Sequence, residues 1–233
     1  MDYKDAVINY GEDIKTGTSD SILASLFRTI LSDIGMDIYR FNGLLLKHLS
    51  RVNSNLNIRE ISSIRGNLSN ELLRSVMTWK VFIKGLLFLN VQKFDLNLTL
   101  ESDQGQMSVH RMSVDTQQFS AIKNEDSVNP DYILSDLFKQ IRSDLKVTEK
   151  IFNENIVNYI RRSNIIDEKE ISSAKGNHKK ELNRPHMTWR VFIKGLLFLN
   201  TDRFTLEICL HHLNRQMTTH SKVVILNLKE DSL

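Results

Sequence analysis

The stretch of sequence that decides the fold is Met-Thr-Trp-Lys-Val-Phe-Ile-Lys-Gly-Leu-Leu-Phe-Leu-Asn at residues 77–90. It recurs at residues 187–200 with a single change, an arginine in place of the first lysine. The alignment continues upstream without a gap, so that 21 of the 30 residues in 61–90 are identical in 171–200. Such a repeat indicates two similar structural units in one chain.

Weaker similarity extends the repeat in both directions. Upstream, Phe41-Asn42 aligns with Phe152-Asn153, and downstream Phe94 aligns with Phe204. A polar segment that ends in Asn129-Pro130 separates the two copies and is typical of a linker. The repeat therefore predicts these boundaries: an N-terminal tail at 1–19, a first unit at 20–115, a linker at 116–129, a second unit at 130–228 and a C-terminal tail at 229–233.

Hydrophobic periodicity predicts two helices at the start of each unit. In the first unit, apolar residues recur at helical spacing from Ile22 to Ile34, with Ser19 or Asp20 as the N-cap. A polar stretch follows the second helix. Its Gly66-Asn67 pair indicates a turn with positive φ, after which a short helix is predicted from Leu68 to Arg74. The matching residues predict the same elements in the second unit.

The shared stretch itself predicts a helix from Thr78 to Asn90. Thr78 is a natural N-cap, and Trp79 and Phe82 fall on one helical face as core residues. A buried strand is the alternative, because the stretch is rich in β-branched and aromatic residues, but it is long for such a strand. Gly85, inside the helix, indicates a close approach by another helix or by a DNA backbone.

Each unit ends in a predicted β-hairpin. Apolar and polar residues alternate strictly from Phe94 to Leu100 and from Phe204 to Leu210, and return strands begin at Met107 and Met217. The sequence therefore predicts an α+β fold, in which a helical cluster followed by a β-hairpin occurs twice in tandem.

This order of helices and hairpin resembles the winged helix-turn-helix class. The residues that carry the resemblance are Asn70–Leu73 as the supporting helix, Arg74–Met77 as the turn, Thr78–Asn90 as the recognition helix and Phe94–Val114 as the wing. The resemblance implies that each unit places the N-terminal end of its recognition helix in the major groove of duplex DNA. Each unit has one helix more than the simplest version of the class needs.

Basic and hydroxyl side chains in and around the recognition helices are the candidate contacts to nucleic acid. Free amides at a helix N-terminus and cationic side chains bind phosphates, and an arginine also reads guanine through two hydrogen bonds. The candidate residues are Arg65, Arg74, Thr78, Lys80, Lys84, Lys175, Lys179, Lys180, Arg184, Thr188, Arg190, Lys194 and Arg215. The alternative is that these charges form an ordinary solvated helix face.

Other chemistry has little support in the sequence. The single cysteine, Cys209, favours a reducing compartment such as the cytoplasm. Cys209 and His211 share one strand face, but no zinc-binding spacing is present, so we predict no metal and no cofactor. No nucleophile motif, phosphate-binding loop or pair of matched carboxylates occurs, so we predict no enzymatic activity.

Two hypotheses of function follow. The first is a cytoplasmic, non-catalytic DNA-binding protein, such as a transcription regulator, that reads two half-sites with two fused units. The second is a protein–protein interaction or assembly protein, such as one of a phage, without nucleic-acid contact. A net charge of +3 does not decide between them, and no apolar run is long enough for a membrane partner. Pairing of the cations in the two shared stretches with carboxylates favours the second hypothesis.

Overall fold

The computed structural model describes residues 6–9, 18–52, 57–119, 128–162, 167–213 and 216–227. Each half contains four α-helices followed by two strands, and the first half has an additional strand at its start. The helices are α1 (Thr18–Asp33), α2 (Ile38–Val52), α3 (Ile58–Leu72), α4 (Trp79–Phe88), α5 (Asp131–Asp144), α6 (Glu149–Arg162), α7 (Glu168–Leu182) and α8 (Trp189–Phe198). The strands are β1 (Ala6–Asn9), β2 (Val91–Ser102), β3 (Met107–Asp115), β4 (Thr201–His212) and β5 (Met217–Asn227). Among the helices described, none combines the length and the apolarity that crossing a bilayer requires.

The five described strands form one sheet in the order β1-β5-β4-β2-β3. Neighbouring strands are antiparallel, except that β1 runs parallel to β5. The two halves meet where β2 pairs with β4, and Asn97 lies opposite Glu207 in the middle of this pairing. These two positions correspond to each other in the repeat. The halves therefore pair around an approximate two-fold axis.

Helices cover one face of the sheet, and no described helix covers the other, which we call the open face. The predicted alternation along the hairpin strands is confirmed, because Phe94 and Leu96 on β2 and Phe204 and Leu206 on β4 are at most 1% exposed. Buried residues from both halves join in one continuous hydrophobic core. The α+β class is therefore confirmed, and the two units share one sheet and one core.

The shared stretch forms helices α4 and α8, as predicted. Thr78 caps α4 by accepting a hydrogen bond from the Val81 amide, and the equivalent threonine caps α8. A Cβ added at Gly85 would lie 2.4 Å from the Phe27 ring of α1, so a neighbouring helix makes the close approach. Asn90 follows α4 in the left-handed conformation, with φ of 55°, which asparagine tolerates better than most residues.

The prediction for the segment before this stretch is wrong. Residues 58–72 form one continuous helix, α3, in place of a turn and a short helix. Asn57 and Glu60 form a capping box that starts this helix ahead of the predicted turn. Gly66 and Asn67 therefore lie inside a helix, and neither has a positive φ. Turn geometry does not explain why this pair is identical in both halves.

The segments predicted as tail and linker contribute ordered structure. Residues 6–9 of the predicted N-terminal tail form β1 at one edge of the sheet. In the predicted linker, Thr116 is buried and its hydroxyl donates a hydrogen bond to the Gln92 carbonyl at 2.8 Å. Helix α1 begins at Thr18, ahead of both predicted caps. The predicted C-terminal tail at 229–233 lies outside the described residues.

Candidate interaction site

Helices α4 and α8 meet at the two-fold axis through their first residues. The rings of Trp79 and Trp189 stack with their centroids 6.1 Å apart and their planes at 13°. Each indole N–H donates a hydrogen bond to a backbone carbonyl of the opposite half, Pro130 in one case and Ser19 in the other. Both rings are at most 2% exposed. They are core residues, as predicted, and they hold the two halves together.

The cation that follows each tryptophan pairs with a carboxylate of the opposite half. Lys80 Nζ lies 3.5 Å from Asp131 Oδ2, and Arg190 Nη2 lies 2.8 Å from Asp20 Oδ2. Burial raises the pKa of Asp131, and the charge of Lys80 opposes this rise. These four side chains line an axial cavity of about 360 Å³. Since two cations face two carboxylates, the cavity offers no net positive charge to an anion.

The second cation of each helix pairs within its own half. Lys84 Nζ lies 3.3 Å from Glu71 Oε2, and Lys194 Nζ lies 3.2 Å from Glu181 Oε2. All four cations of the shared stretches therefore contact carboxylates of the chain. Each of them would have to leave its carboxylate in order to bind a phosphate, so this arrangement favours the interaction hypothesis.

The other predicted nucleic-acid contacts are spread over the molecule. Thr78 and Thr188 are N-caps beside the axial cavity, and Lys179 pairs with a glutamate of α6 at 2.6 Å. Arg65 and Lys175 each line a separate groove. The remaining residues are Arg74, Lys180 and Arg184, which are exposed, and Arg215, which lies outside the described residues.

A groove of about 400 Å³ lies between α2 and α3 in the first half, with Asn42, Leu46, Arg65 and Gly66 among the residues that line it. The side-chain oxygen of Asn42 is buried and has no hydrogen-bond partner in the described part of the chain. Gly66 faces open space, because no described atom lies within 4 Å of a Cβ added there. We refer to this feature as the α2/α3 groove.

The second half has a groove of about 440 Å³ in the same place, between α6 and α7. Asn153, Val157 and Lys175 line this α6/α7 groove at positions equivalent to three of the side chains in the first. The side-chain oxygen of Asn153 is again buried without a partner among the described residues. Gly176, the equivalent of Gly66, follows the groove residue Lys175 in α7 and is not itself among the lining residues, and a Cβ added there would also meet no described atom within 4 Å.

The identities between the two halves fall into two groups. Most are explained by the fold, since they are buried residues, N-caps, ion-paired side chains or glycines beside a phenylalanine ring. The main exception is a polar face of α3 and α7. Its members are Ser62, Ser63, Gly66 and Asn67, which match Ser172, Ser173, Gly176 and Asn177. Sequence reasoning assigned the Gly-Asn pair to a turn and so missed the grooves, which two helices form only on packing.

Comparison with protein-family models, with curated proteins and with solved structures found no match. Retained residues are therefore identified by comparing the two halves of the chain with each other. By that measure, the groove asparagines and glycines are retained as strictly as the two tryptophans of the core.

Proposed function

We propose that this chain is a non-catalytic protein-interaction module that binds two copies of one partner protein, one in each groove. The observation that carries the proposal is the helical glycine that faces open space in both halves, Gly66 on α3 and Gly176 on α7. Alanine at such a position would stabilise a helix by about 0.5–1 kcal/mol relative to glycine. Because no described part of the chain needs a glycine there, we assign it to a contact with a partner.

Two other glycines of this chain show how a glycine inside a helix allows an aromatic ring to pack closely. Gly85 and Gly195 also lie inside helices, where an added Cβ would lie 2.4 Å and 2.6 Å from the rings of Phe27 and Phe138. The absence of a Cβ lets each ring pack directly against the helix backbone. By the same reasoning, the groove glycines admit a bulky side chain, and that side chain comes from a partner.

The walls of the grooves indicate the chemistry of the partner. An aliphatic side chain, Leu46 or Val157, provides an apolar contact in each groove. The buried oxygen of the retained asparagine has no donor among the described residues, and a donor from a partner can pair with it once the asparagine side chain turns toward the groove. The groove cation, Arg65 or Lys175, favours an acidic neighbour. We therefore expect a partner segment with a bulky apolar side chain, a hydrogen-bond donor and a carboxylate.

Two equivalent grooves are the expected product of a tandem duplication of one partner-binding unit. The pairing of β2 with β4 and the shared core fix the two grooves relative to each other. A partner that is itself oligomeric would therefore bind both grooves of one chain with increased avidity. The helix assigned to recognition by the winged-helix resemblance, α4, is largely buried, and the grooves lie on other helices.

Duplex DNA is the competing candidate, and one observation favours it. Arg74 and Arg184 are identical in the two halves and are exposed. A DNA-binding protein would show an affinity that falls steeply with salt and that drops when Lys84 and Lys194 are both neutralised. Protein binding through the grooves predicts that this double substitution leaves partner binding unchanged.

The test uses the full chain as bait in extracts of the organism from which it comes, and compares it with the variant Gly66→Leu/Gly176→Leu. Leucine at position 66 fills the α2/α3 groove from inside, and leucine at position 176 projects beside the α6/α7 groove, next to its lining residue Lys175. Leucine is a stronger helix former than glycine, so the variant is expected to stay folded. We expect one protein to bind the unchanged chain with two copies per chain by native mass spectrometry. The double variant should no longer bind this protein, and Gly66→Leu or Gly176→Leu alone should bind one copy of it per chain.

The matched control is Arg59→Leu/Lys169→Leu, which adds the same two leucines at exposed equivalent positions of the same two helices. This control should capture the partner as the unchanged chain does. Equal capture by the groove variant, or no protein specific to the unchanged chain, would refute the proposal. A gel shift with duplex DNA at two salt concentrations tests the competing candidate with the same three proteins.

A further inference from the structure

Three side chains on the open face of the sheet bring together the donor atoms of a metal site. Asp95 on β2 lies directly opposite Cys209 on β4, and His211 is two residues further along β4. A carboxylate oxygen, the thiol sulfur and an imidazole nitrogen lie within 4.8 Å of one another. Cys209 and His211 share a strand face, as predicted, whereas Asp95 comes from the other half of the chain.

Neighbouring side chains hold both oxygens of the Asp95 carboxylate in place. The Ser113 hydroxyl donates a hydrogen bond to Asp95 Oδ1, and Lys93 Nζ lies 3.5 Å from the same oxygen. The other oxygen, Oδ2, lies 2.6 Å from His211 Nε2. Outer contacts that hold one carboxylate oxygen and aim the other are typical of metal ligands. Partial burial raises the pKa of Asp95, but hydrogen bonds from Ser113 and His211 outweigh it and lower the pKa.

We propose that Asp95, Cys209 and His211 bind one divalent ion of the zinc class, with water as the fourth ligand. Thiolate, imidazole and carboxylate together suit Zn²⁺, whereas Mg²⁺ and Ca²⁺ take oxygen ligands. Donor atoms around a tetrahedral zinc ion lie about 3.3–3.8 Å apart. The three donor atoms here lie within 4.8 Å of one another, and the closest two, Asp95 Oδ2 and His211 Nε2, lie 2.6 Å apart and must separate to bind an ion. On binding, the ion takes the place of the hydrogen between Asp95 Oδ2 and His211 Nε2. His211 then coordinates as the neutral ring with its proton on Nδ1, and the Cys209 thiol loses its proton to solvent.

The first half has no second copy of these ligands. The positions equivalent to Cys209 and His211 are Thr99 and Glu101, and the position equivalent to Asp95 is Thr205. One ion per chain is therefore expected. Because Asp95 belongs to the first half and the other two ligands to the second, a bound ion joins the halves across the β2–β4 pairing. It stabilises the folded chain by mass action, since the unfolded chain does not hold the three ligands together.

Cobalt(II) titration of the full chain tests the site, because a cobalt–thiolate bond gives a charge-transfer absorption band. Cys209 is the one cysteine of the sequence, so such a band reports on it alone. We expect a band that saturates at one Co²⁺ per chain and disappears when Zn²⁺ is added. We also expect a higher melting temperature in Zn²⁺.

Single substitutions distinguish a three-ligand metal site from Co²⁺ binding to the Cys209 thiol alone. Cys209→Ser should abolish the band, and Asp95→Asn and His211→Asn should each weaken Co²⁺ binding by at least about tenfold. Glu101→Gln, at the position equivalent to His211 on the same sheet face, is the matched control and should leave the affinity unchanged. No band in the unchanged chain, or an equal band in Asp95→Asn and His211→Asn, would overturn the proposal. Neither result bears on partner binding in the grooves.

Discussion

His178 of α7 takes the position that Leu68 takes in α3, and it places an ionisable ring where the other half has an apolar side chain. Leu68 is 9% exposed, and the His178 side chain is 20% exposed. The ring packs edge-on against Tyr159. Its Nδ1 lies 3.7 Å from Glu181 Oε2, too far for a hydrogen bond, and no described residue forms one with it. Burial, followed by the charge of Lys194, lowers the pKa of His178 below its ordinary value of 6.5.

His178→Leu is expected to stabilise the protein increasingly as the pH falls below 6.5. Below pH 6.5 the unfolded chain binds a proton at His178 before the native chain does. The free energy of unfolding therefore falls with pH, by at most about 1.4 kcal/mol per pH unit. Leucine removes this proton uptake and restores the side chain of the other half. Urea unfolding at pH 7.5 and 5.5 measures the effect. A difference between variant and unchanged chain that does not grow toward pH 5.5 would contradict the assignment.

Gly85 and Gly66 show which single-residue features could be predicted from the sequence. A close approach at Gly85 was predicted because glycine inside a helix is unfavourable without a reason. The neighbour that explains it, Phe27, lies 58 positions away in the chain, and no local pattern identifies it. At Gly66 the same principle was available, but the adjacent Asn67 made a turn the simpler interpretation. The groove was missed for that reason.

At the scale of elements, the strongly patterned segments were predicted and the polar one was not. The alternating hairpin strands and the shared helix each carry a hydrophobic period that their burial confirms. Helix α3 has few apolar residues, so local turn signals dominated its interpretation. Its helical state depends on the Asn57–Glu60 capping box and on packing of Leu68 and Leu72 into the core.

The capping box of α3 predicts a specific ranking of substitutions. Asn57 accepts hydrogen bonds from the Arg59 and Glu60 amides at 3.0 Å, and Asp167 takes the same role in α7. Asn57→Ala should cost about 1 kcal/mol of unfolding free energy because those two amides lose their acceptor. Asn57→Asp, which copies the other half, should cost little. Equal losses in the two variants, measured by urea unfolding, would show that the cap is not the cause.

At the scale of the whole molecule, each half completes the other through reciprocal contacts. His110 Nδ1 of β3 forms a hydrogen bond with Asp144 Oδ2 of α5 at 2.9 Å, and His220 Nδ1 of β5 forms one with Asp33 Oδ2 of α1 at 2.8 Å. Both imidazoles are at most 3% exposed. The sequence predicted two units, but it did not predict that these contacts run between them. A repeat shows which residues correspond, and the same correspondence fits contacts within one unit or between two.

This reciprocity predicts that either half, expressed alone, forms a homodimer. The tryptophan hydrogen bonds, the Lys80–Asp131 and Arg190–Asp20 ion pairs and the two His–Asp pairs each occur once in either direction across the axis, so a second copy of one half can supply the partners that the missing half supplied. In a dimer of residues 18–119, Trp79 would stack on its own copy, and β2 would pair with β2 about Asn97. Sedimentation equilibrium of this fragment and of residues 128–227 measures the dimers, and the full chain, which already makes this pairing internally, is the control.

The two fragments should differ in dimer affinity because the residue at the centre of the strand pairing is Asn97 in one and Glu207 in the other. In the full chain Asn97 donates a hydrogen bond to Glu207 at 2.7 Å. A dimer of the second half would instead place Glu207 against Glu207, and like charges directly opposite each other on a sheet cost about 0.2–1 kcal/mol. Glu207→Gln should therefore strengthen the dimer of residues 128–227 by up to about fivefold. A folded fragment that stays monomeric at high concentration, or a dimer that this substitution does not strengthen, would show that the symmetric pairing of β2 and β4 does not hold the halves together.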